Sequence, residues 1–511
     1  MKHLKTFNVI LATGKNGELG LDNDLPWDFM SDKAYFKKLT SETTILPGIN
    51  KESNILITGR KTFESLLTGV DHDIYKPLSN RILFVITSDY ENINKSYFLG
   101  SYNGGIEQSA SITAESGAYN SPCDTKINKS VYFFPNFLTA YLRACTFINS
   151  DIWVIGGSYI YEAALKHWAC DKIYLTKIND SFTADTFIDL NKYNIEWTNS
   201  IVNTDIDKKT HKEYKLKFKQ GNIKSNIETA YLQLLHKVIT TSDARETRNG
   251  ITFSKFNTTL SCDVGHSFPL LTTKLMFWKG IVEELLFFIR GYTDTTILSK
   301  KQIKIWEPNT NQEFLDKMGF NYPVGEMGPM YGYQWRHFNK QYPETENDTE
   351  SGIDQLQFVI NEIKTNPSSR RILLTTFNPA QVNQGVLYPC HSIIIQFYVE
   401  DDKLNCAMYQ RSADLFLGVP FNIASTALLL HIIAKITKLK PNMMHLHLGD
   451  YHVYKEHINA VWKQLERTPR DLPQLEIPDF ETIEDVEKSQ FENYKIINYN
   501  SYGAIKAAMI P

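Results

Sequence analysis

Short runs of Val, Ile and aromatic residues alternate with helix-period segments along the first 220 residues. Phe7–Ala12, Asn54–Ile57, Ile82–Ile86, Ile152–Ile155 and Lys172–Thr176 read as strands, and Asp32–Leu39 and Ser158–His167 have the period of helices. Strands separated by helices predict an α/β sheet with substantial parallel pairing. The pattern lapses from about 91 to 130, where Asn, Ser, Gly and Tyr dominate without periodicity. A stretch of that length predicts a surface insertion. Lys212–Lys219 alternates charged and apolar side chains, as a last edge strand does, and Gln220-Gly221-Asn222 breaks it. From Asn226 a helix begins, with Tyr231, Leu234, Leu235 and Val238 at helical spacing. These changes divide the chain into 1–220, a short linker at 221–226, and 227–511. The second part mixes helices and strands, and one strand, Ser392–Val399, is nearly continuously apolar. No internal repeat is found, which excludes a solenoid.

Composition narrows the class. With 511 residues, 42% hydrophobic and 22% charged, the chain suits two or more packed domains and is not globally disordered. A net charge of −3 argues against nucleic acid as a partner, while leaving room for local basic pockets. The six cysteines include no CxxC pair, so neither a disulfide scaffold nor a zinc ribbon is expected. Phe7–Ala12 is broken by Asn8 and is too weak for a signal peptide. Ala424–Ile436 is interrupted by His431 and Lys435, so no membrane span is expected. The expected setting is a cytoplasmic multidomain enzyme.

Three segments of the first part carry chemistry. Gly20-Leu21-Asp22-Asn23-Asp24-Leu25-Pro26-Trp27 reads as a loop with a Pro-Trp exit, and the helix after it sets Asp32 and Phe36 one turn apart on one face. A carboxylate beside Leu25, Trp27 and Phe36 has a raised pKa and pairs with an amidine-like ring edge; a lone Asp at a helix start is more often an ordinary surface group. Ile57-Thr58-Gly59-Arg60-Lys61-Thr62-Phe63 runs from strand through glycine to a helix start, where phosphates bind. Trp153-Val154-Ile155-Gly156-Gly157-Ser158, followed by Tyr161, places two glycines where backbone can approach a ligand closely. There is no GxGxxG, so the Rossmann fingerprint is absent.

In this order the residues resemble dihydrofolate reductase across about 7–219. The resemblance implies NADPH reducing dihydrofolate to tetrahydrofolate. It implies folate contacts at Asp32, Phe36, Arg81 and Thr176. Asp32 would hold the pteridine's amino group and ring nitrogen and assist protonation at N5, Thr176 would support that network, and Arg81 would pair with the substrate's glutamate carboxylate. It implies cofactor contacts at Ala12, Gly20, Trp27, Gly59, Arg60, Lys61, Thr62, Ser88, Gly156, Gly157, Ser158 and Tyr161, with a cis peptide at Gly156-Gly157. Two positions depart from the pattern. Lys33 follows the acid where an apolar residue is common, and Ser88 stands where some relatives carry an Arg near the cofactor's 2′-phosphate.

The second part offers a nucleophile. Pro389-Cys390-His391 opens the apolar strand. A free thiol has a pKa of about 8.5, so a thiolate at neutral pH needs a cationic neighbour. Tyr409-Gln410-Arg411-Ser412 supplies an Arg and a hydroxyl, and Ser369-Arg370-Arg371 supplies two more cations suited to phosphate. On the helix Ile281–Arg290, Glu283 and Arg290 share the edge expected to be wet, while Glu284 lies between Phe287 and Phe288 on a partly desolvated flank. Such a carboxylate suits general acid/base work. His445 and His447, with His452 and His457 following, admit a zinc reading, but no matching acid or cysteine pattern accompanies them, and no metal is expected.

These motifs resemble thymidylate synthase over about 227–511. The match includes Phe268-Pro269-Leu270-Leu271-Thr272-Thr273-Lys274, Gly332-Tyr333-Gln334-Trp335-Arg336 and Gly418-Val419-Pro420-Phe421-Asn422. It implies reductive methylation of dUMP to dTMP by 5,10-methylenetetrahydrofolate. Cys390 would attack C6 of the uracil; Glu284 would orient water and move protons; Tyr331 and His391 would join that network. Arg411, Ser412, Asn422, His452 and Tyr454 would contact dUMP, and Trp306 and Asp414 the folate. Arg245 and Arg248 compete as the first phosphate arginine, with Arg248 preferred. Arg370 and Arg371 would reach a partner's site across a homodimer interface in this part, and the tail Ile505–Pro511 would fold over the site. The whole chain thus resembles the fused dihydrofolate reductase–thymidylate synthase of protozoa. Its expected architecture is a mostly parallel, helix-flanked α/β sheet joined to a mixed α+β domain. The alternative is that one domain is silent and serves as scaffold or RNA-binding regulator.

Overall fold

The computed structural model describes residues 4–41, 53–67, 78, 81–88, 125–128, 131–193, 195–223, 226–343 and 352–510. They form two compact units, 1–225 and 226–511.

The first unit is built on one sheet. Its strands are β1 (Phe7–Thr13), β2 (Asn54–Gly59), β3 (Arg81–Ile86), β4 (Thr125–Asn128), β5 (Val131–Phe134), β6 (Ile152–Gly156), β7 (Cys170–Ile178), β8 (Ile195–Ile206) and β9 (Glu213–Ile223). They lie in the order β8-β9-β7-β1-β6-β2-β3-β5-β4. From β7 to β5 all pairings are parallel, and both edges are antiparallel. Parallel strands are covered on both faces, which is why Ile55, Leu56, Val85 and Val154 are fully buried and their strands read as unbroken apolar runs. The helices α1 (Met30–Ser41), α2 (Arg60–Leu67), α3 (Phe137–Ala144) and α4 (Ser158–Leu165) complete the part of the unit that matters for chemistry.

Two readings of the edges need correction. The strand expected over Lys212–Lys219 continues through Gly221 to Ile223, so the segment read as linker starts inside β9. A side chain at 221 would come within 2.8 Å of the Trp197 ring, so this glycine admits the indole rather than ending the strand. Nor is β9 the edge, because β8 pairs outside it. Of the 91–130 insertion, only 125–128 lie among the described residues, and they pair with β5 as an edge strand.

The second unit opens with α5 (Ile227–Thr241), whose first turn is capped by Asn226 accepting from the Thr229 N–H at 2.8 Å. Its sheet consists of β10 (Ala244–Thr247), β11 (Gly250–Asp263), β12 (Leu373–Thr375), β13 (Ile394–Glu400), β14 (Lys403–Asp414) and β15 (Lys440–Tyr454), ordered β10-β11-β15-β14-β13-β12. Only β14 and β15 are parallel. The helices used below are α6 (Trp278–Ile289), α7 (Gly332–His337) and α8 (Gly418–Thr437). By length and composition α8 could cross a membrane, yet it is the core helix of this unit, with fourteen of its twenty residues buried and its contacts on β14 and β15. Strand β13 is apolar for two separate reasons. Ile395 and Phe397 face this core, whereas Ile394 and Tyr398 lie on the opposite, open face, 45% and 63% exposed.

Candidate active sites

In the first unit, Asp205 on β8 sets the start of α1. The backbone N–H and the hydroxyl of Ser31 both donate to its carboxylate, at 2.7 and 2.6 Å. Nothing in the local sequence signals Asp205, because it acts across 174 residues. Asp32 comes next on the helix. It keeps a partly open edge, but desolvation pushes its pKa up to about 6 against the opposing pull of the Thr176 hydroxyl and Lys33. Thr176 on β7 pairs directly with Ala12 on β1, so residues assigned to folate and to cofactor meet here. Trp27 is buried edge-on against Phe182, and its indole N–H has no hydrogen-bond partner among the described residues. A buried donor in that state calls for water or ligand. Leu25 is only a partial wall, being 39% exposed. Lys33 turns outward to Asp28 at 2.7 Å, which leaves the apolar side to Asp32. Arg81 is buried behind α1, donating to Thr40 Oγ1 at 2.7 Å with its guanidinium 5.9 Å from the Phe36 ring.

Beside this pocket β2 and β6 run in parallel, and each ends at a glycine that opens a helix. The Thr58 hydroxyl donates to the Gly156 carbonyl at 3.1 Å, and Gly156-Gly157 is a cis peptide. The N-termini of α2 and α4 therefore lie at the ends of adjacent strands, where unpaired backbone N–H groups favour phosphate. Gly156 has φ +118°, and a side chain there would press on the Tyr161 ring at 3.0 Å. The Tyr161 hydroxyl lies 2.8 Å from the carbonyls of both Ile10 and Ile155, which fixes its ring beneath the glycines. Arg60 shares its charge with Glu64 at 2.7 Å, while Lys61 and Thr62 open α2 beside Gly59, and Ser158 opens α4. Ser88 is exposed just past β3, and Gly20 ends a short strand before the tight Leu21–Asp24 turn. Two adjacent helix N-termini, a glycine cradle and a cationic rim fit a dinucleotide phosphate such as that of NADPH.

In the second unit the constellation centres on Cys390. Its backbone N–H donates to the Tyr331 hydroxyl at 3.1 Å, and that hydroxyl lies 3.4 Å from Sγ. The Arg411 N–H donates to the Cys390 carbonyl at 3.0 Å, and the Arg411 guanidinium clasps the carbonyls of Pro389 and Tyr388 at 2.7 and 2.9 Å. Burial nevertheless pushes the Cys390 thiol up, outweighing Tyr331 and Arg411. The cationic neighbour expected from the sequence is present, but its pull is smaller than the cost of burying the thiolate. Tyr331 stacks on His391 at 4.5 Å and on Phe288 at 5.0 Å. Gly332 makes this stack possible, because a side chain there would strike the Phe288 carbonyl at 2.4 Å. Burial lowers His391 to about 4, so the ring is neutral, and it shares a 3.0 Å hydrogen bond with Ser392.

Glu284 accepts from the Trp306 indole at 2.9 Å, and desolvation raises it to about 7. Glu283, expected on a wet edge, is instead buried and paired with Lys301 at 2.6 Å. Arg290 also turns inward, donating to the carbonyls of Glu487 and Ser489. Asp414 accepts from the N–H groups of Phe416 and Leu417 at 2.9 and 3.2 Å, shaping the entry to α8. Asn422 is buried on α8, and its amide has no partner among the described residues. His452 is buried beside Asp450 at 3.1 Å, with Tyr454 edge-on at 5.2 Å, and Ser412 pairs with Asp450 across the sheet. Arg248 and Asn249 form the two-residue turn between β10 and β11. Burial pushes the Tyr454 hydroxyl up, with Asp414 and Cys390 adding to the shift and Asn249 and Arg248 opposing it. Arg245 is paired instead with Asp450 at 3.4 Å. Arg248 Nε in turn donates to Asn249 Oδ1 at 3.0 Å. The guanidinium groups of Arg370 and Arg371 have no partner among the described residues.

Sequence reasoning missed Lys274 and Glu228. Lys274 is buried over the Phe416 ring at 4.0 Å and bonds the Phe416 carbonyl, with its pKa lowered to about 7 by desolvation. Glu228 receives the N–H and hydroxyl groups of both Thr272 and Thr273. Their only signal was the Phe268–Lys274 motif. The strand histidines are held by hydroxyls, His445 by Ser261 at 2.9 Å and His447 by Thr259 at 3.0 Å.

Comparison with known proteins agrees with this division. The family model described as Dihydrofolate reductase matches residues 6–110 and 124–222, and that described as Thymidylate synthase matches 229–511. The bifunctional dihydrofolate reductase-thymidylate synthase of Paramecium tetraurelia is 34% identical over 514 residues, 99% of each chain. That of Leishmania amazonensis is 34% identical over 524 residues, covering 99% of this chain and 95% of the relative. Bifunctional dihydrofolate reductase-thymidylate synthase 1 of Arabidopsis thaliana is 34% identical over 540 residues, covering 99% and 96%. The fused arrangement is therefore matched in plants as well.

Proposed function

Because the chain belongs to the bifunctional dihydrofolate reductase–thymidylate synthase family, we propose that each unit performs its reaction with the residue set described above. The chain reduces dihydrofolate to tetrahydrofolate with NADPH and methylates dUMP to dTMP with 5,10-methylenetetrahydrofolate. The methylation releases dihydrofolate, which the reduction consumes.

For the reductase, the observation that carries the reading is a carboxyl of pKa about 6 beside Thr176. Asp32 holds the pteridine edge and favours the proton at N5, Phe36 lines the pocket, and Arg81 meets the glutamate carboxylate. NADPH, when bound, supplies the hydride. The helix starts at Arg60 and Ser158 would hold its phosphates, and Gly156-Gly157 would admit its close approach.

For the synthase, the carrying observation is Cys390 Sγ at 3.4 Å from the Tyr331 hydroxyl. The thiol attacks C6, and C5 becomes the carbon nucleophile that takes the one-carbon unit. Arg411, Arg248 and Ser412 receive the phosphate, Asn422 the uracil edge, and His452 and Tyr454 the ribose. Glu284 moves protons near neutral pH, with Trp306 and Asp414 on the folate side. The experiment is one reaction with dUMP, methylenetetrahydrofolate and NADPH, following dTMP, dihydrofolate and NADPH together. dTMP without NADPH oxidation would count against the reductase reading. A silent-domain alternative requires loss of Asp32, Cys390, Glu284 or Arg411, and all four are present. Glu284→Gln should lower dTMP formation about a hundredfold and erase the pH dependence near 7; an unchanged rate and profile would remove Glu284 from the chemistry.

The reading extends to a homodimer through the second unit. Leu373, Ile394, Tyr398 and Tyr409 share the open sheet face, each at least 39% exposed. A contiguous apolar face of this kind fits a two-fold interface, and Arg371, without a side-chain partner among the described residues, lies two residues before Leu373. If Arg371 serves the partner's site, then mixing inactive Arg371→Ala with inactive Cys390→Ala should restore about a quarter of the synthase sites, since half the dimers are mixed and each has one intact site. No recovery after subunit exchange would refute the shared site. A cytoplasmic setting accords with five described cysteines that are all free; cell fractionation against a cytosolic marker tests it.

A further inference from the structure

The C-terminal segment Tyr499–Ile510 has no regular secondary structure, yet it is tied down at several points. The Tyr502 N–H donates to the Thr272 carbonyl at 2.8 Å, and Arg467 reaches the carbonyls of Thr273 and Gly503 at 2.6 and 2.7 Å. Beyond Gly503 the one hydrogen bond among the described residues runs from His457 Nε2 to the Ala508 carbonyl, at 2.7 Å. A carbonyl only accepts, so Nε2 carries the proton. Nδ1 is buried with no partner among the described residues. The ring is fully buried, 5.5 Å from Phe416 and 5.6 Å from Tyr454. Phe416 belongs to the turn shaped by Asp414 and gripped by Lys274. One imidazole therefore touches the C-terminal segment, the Asp414 turn and Tyr454.

We infer that His457 is a positioning residue, the latch that holds the C-terminal segment against the turn bearing Asp414 and against Tyr454. Neither metal binding nor proton transfer to substrate is required of it. Its effect on turnover rests on the reading of Asp414 and Tyr454 as substrate contacts.

The test uses the full-length chain. His457→Phe keeps a ring in the same space and removes the donor, whereas His457→Gln offers an amide N–H toward the same carbonyl. Release of C-terminal residues by carboxypeptidase Y, read by intact mass, should be about five to ten times faster for His457→Phe, the loss expected for one hydrogen bond. KM for methylenetetrahydrofolate should rise by a similar factor, with kcat changed less. His457→Gln should recover both, and dihydrofolate reduction by the same protein should be unchanged. A chain ending at Ala507 removes the acceptor instead and should reproduce the KM of His457→Phe even if that variant folds poorly. Carboxypeptidase release no faster in His457→Phe than in the parent overturns the latch, whatever KM does. Faster release with an unchanged KM upholds the latch and counts against the roles given to Asp414 and Tyr454.

Discussion

Replacement of Cys390 by alanine should reduce dTMP formation by about 10³-fold or more, while dihydrofolate reduction stays within about twofold of the parent. No described thiol can substitute. Burial pushes Cys145 to about 11, Cys262 and Cys406 to about 12 and Cys170 higher still, and all four are buried. Cys390 alone among the described cysteines is partly exposed, with a tyrosine hydroxyl and an arginine beside it. Its thiol is also held above its ordinary value, so proton loss belongs to the attack rather than to the resting enzyme. Cys390→Ser should therefore fare nearly as badly, since a hydroxyl in the same place is harder still to ionise. Two assays on one preparation decide the matter, dTMP from dUMP and methylenetetrahydrofolate, and NADPH oxidation with added dihydrofolate. Retention of dTMP formation in Cys390→Ala would require another nucleophile; loss of both activities would point to misfolding.

Much of this was legible before any coordinates because the chemistry lies in local motifs. Gly156-Gly157, Pro389-Cys390-His391 and the pair Asp32 and Phe36 each sit at the end of an element whose period is plain, and the structure puts those elements where the motifs need them. What stayed hidden is long-range. Asp205 braces α1 from a distant strand, and Glu283 lies on a helix buried nearly all round, where Lys301 pairs with it. A helical wheel assigns Glu283 to the wet edge because it contains no information about the second layer. The pairing of Arg245 with Asp450, on a strand 205 residues away, was likewise invisible in the local sequence. Gly221 misled for a related reason: glycine marks a strand end only when nothing large lies opposite, and Trp197 does.

Asp32→Asn should lower dihydrofolate reduction by about 10²- to 10³-fold at pH 7 and leave dTMP formation intact, so that dihydrofolate accumulates in the coupled reaction. The pH profile carries the sharper argument. Desolvation raises Asp32 to about 6, so the acid form is lost as pH climbs through that value. The parent's kcat/KM for dihydrofolate should then fall about tenfold per pH unit above 6, and the Asn variant, having no such proton, should be slow and flat. The substitution should move stability the other way. The folded state holds this proton to higher pH than the unfolded chain, whose carboxyl titrates near 3.9. The fold therefore loses stability between about pH 4 and 6 and does not regain it above. Since Asn carries no charge to desolvate, the variant should be the more stable protein at pH 7, by about 1–3 kcal/mol. A structural aspartate would lose activity and stability together when replaced; one held for chemistry should lose the first and gain the second, and denaturant melts of both proteins at pH 4 and pH 7 separate the two cases.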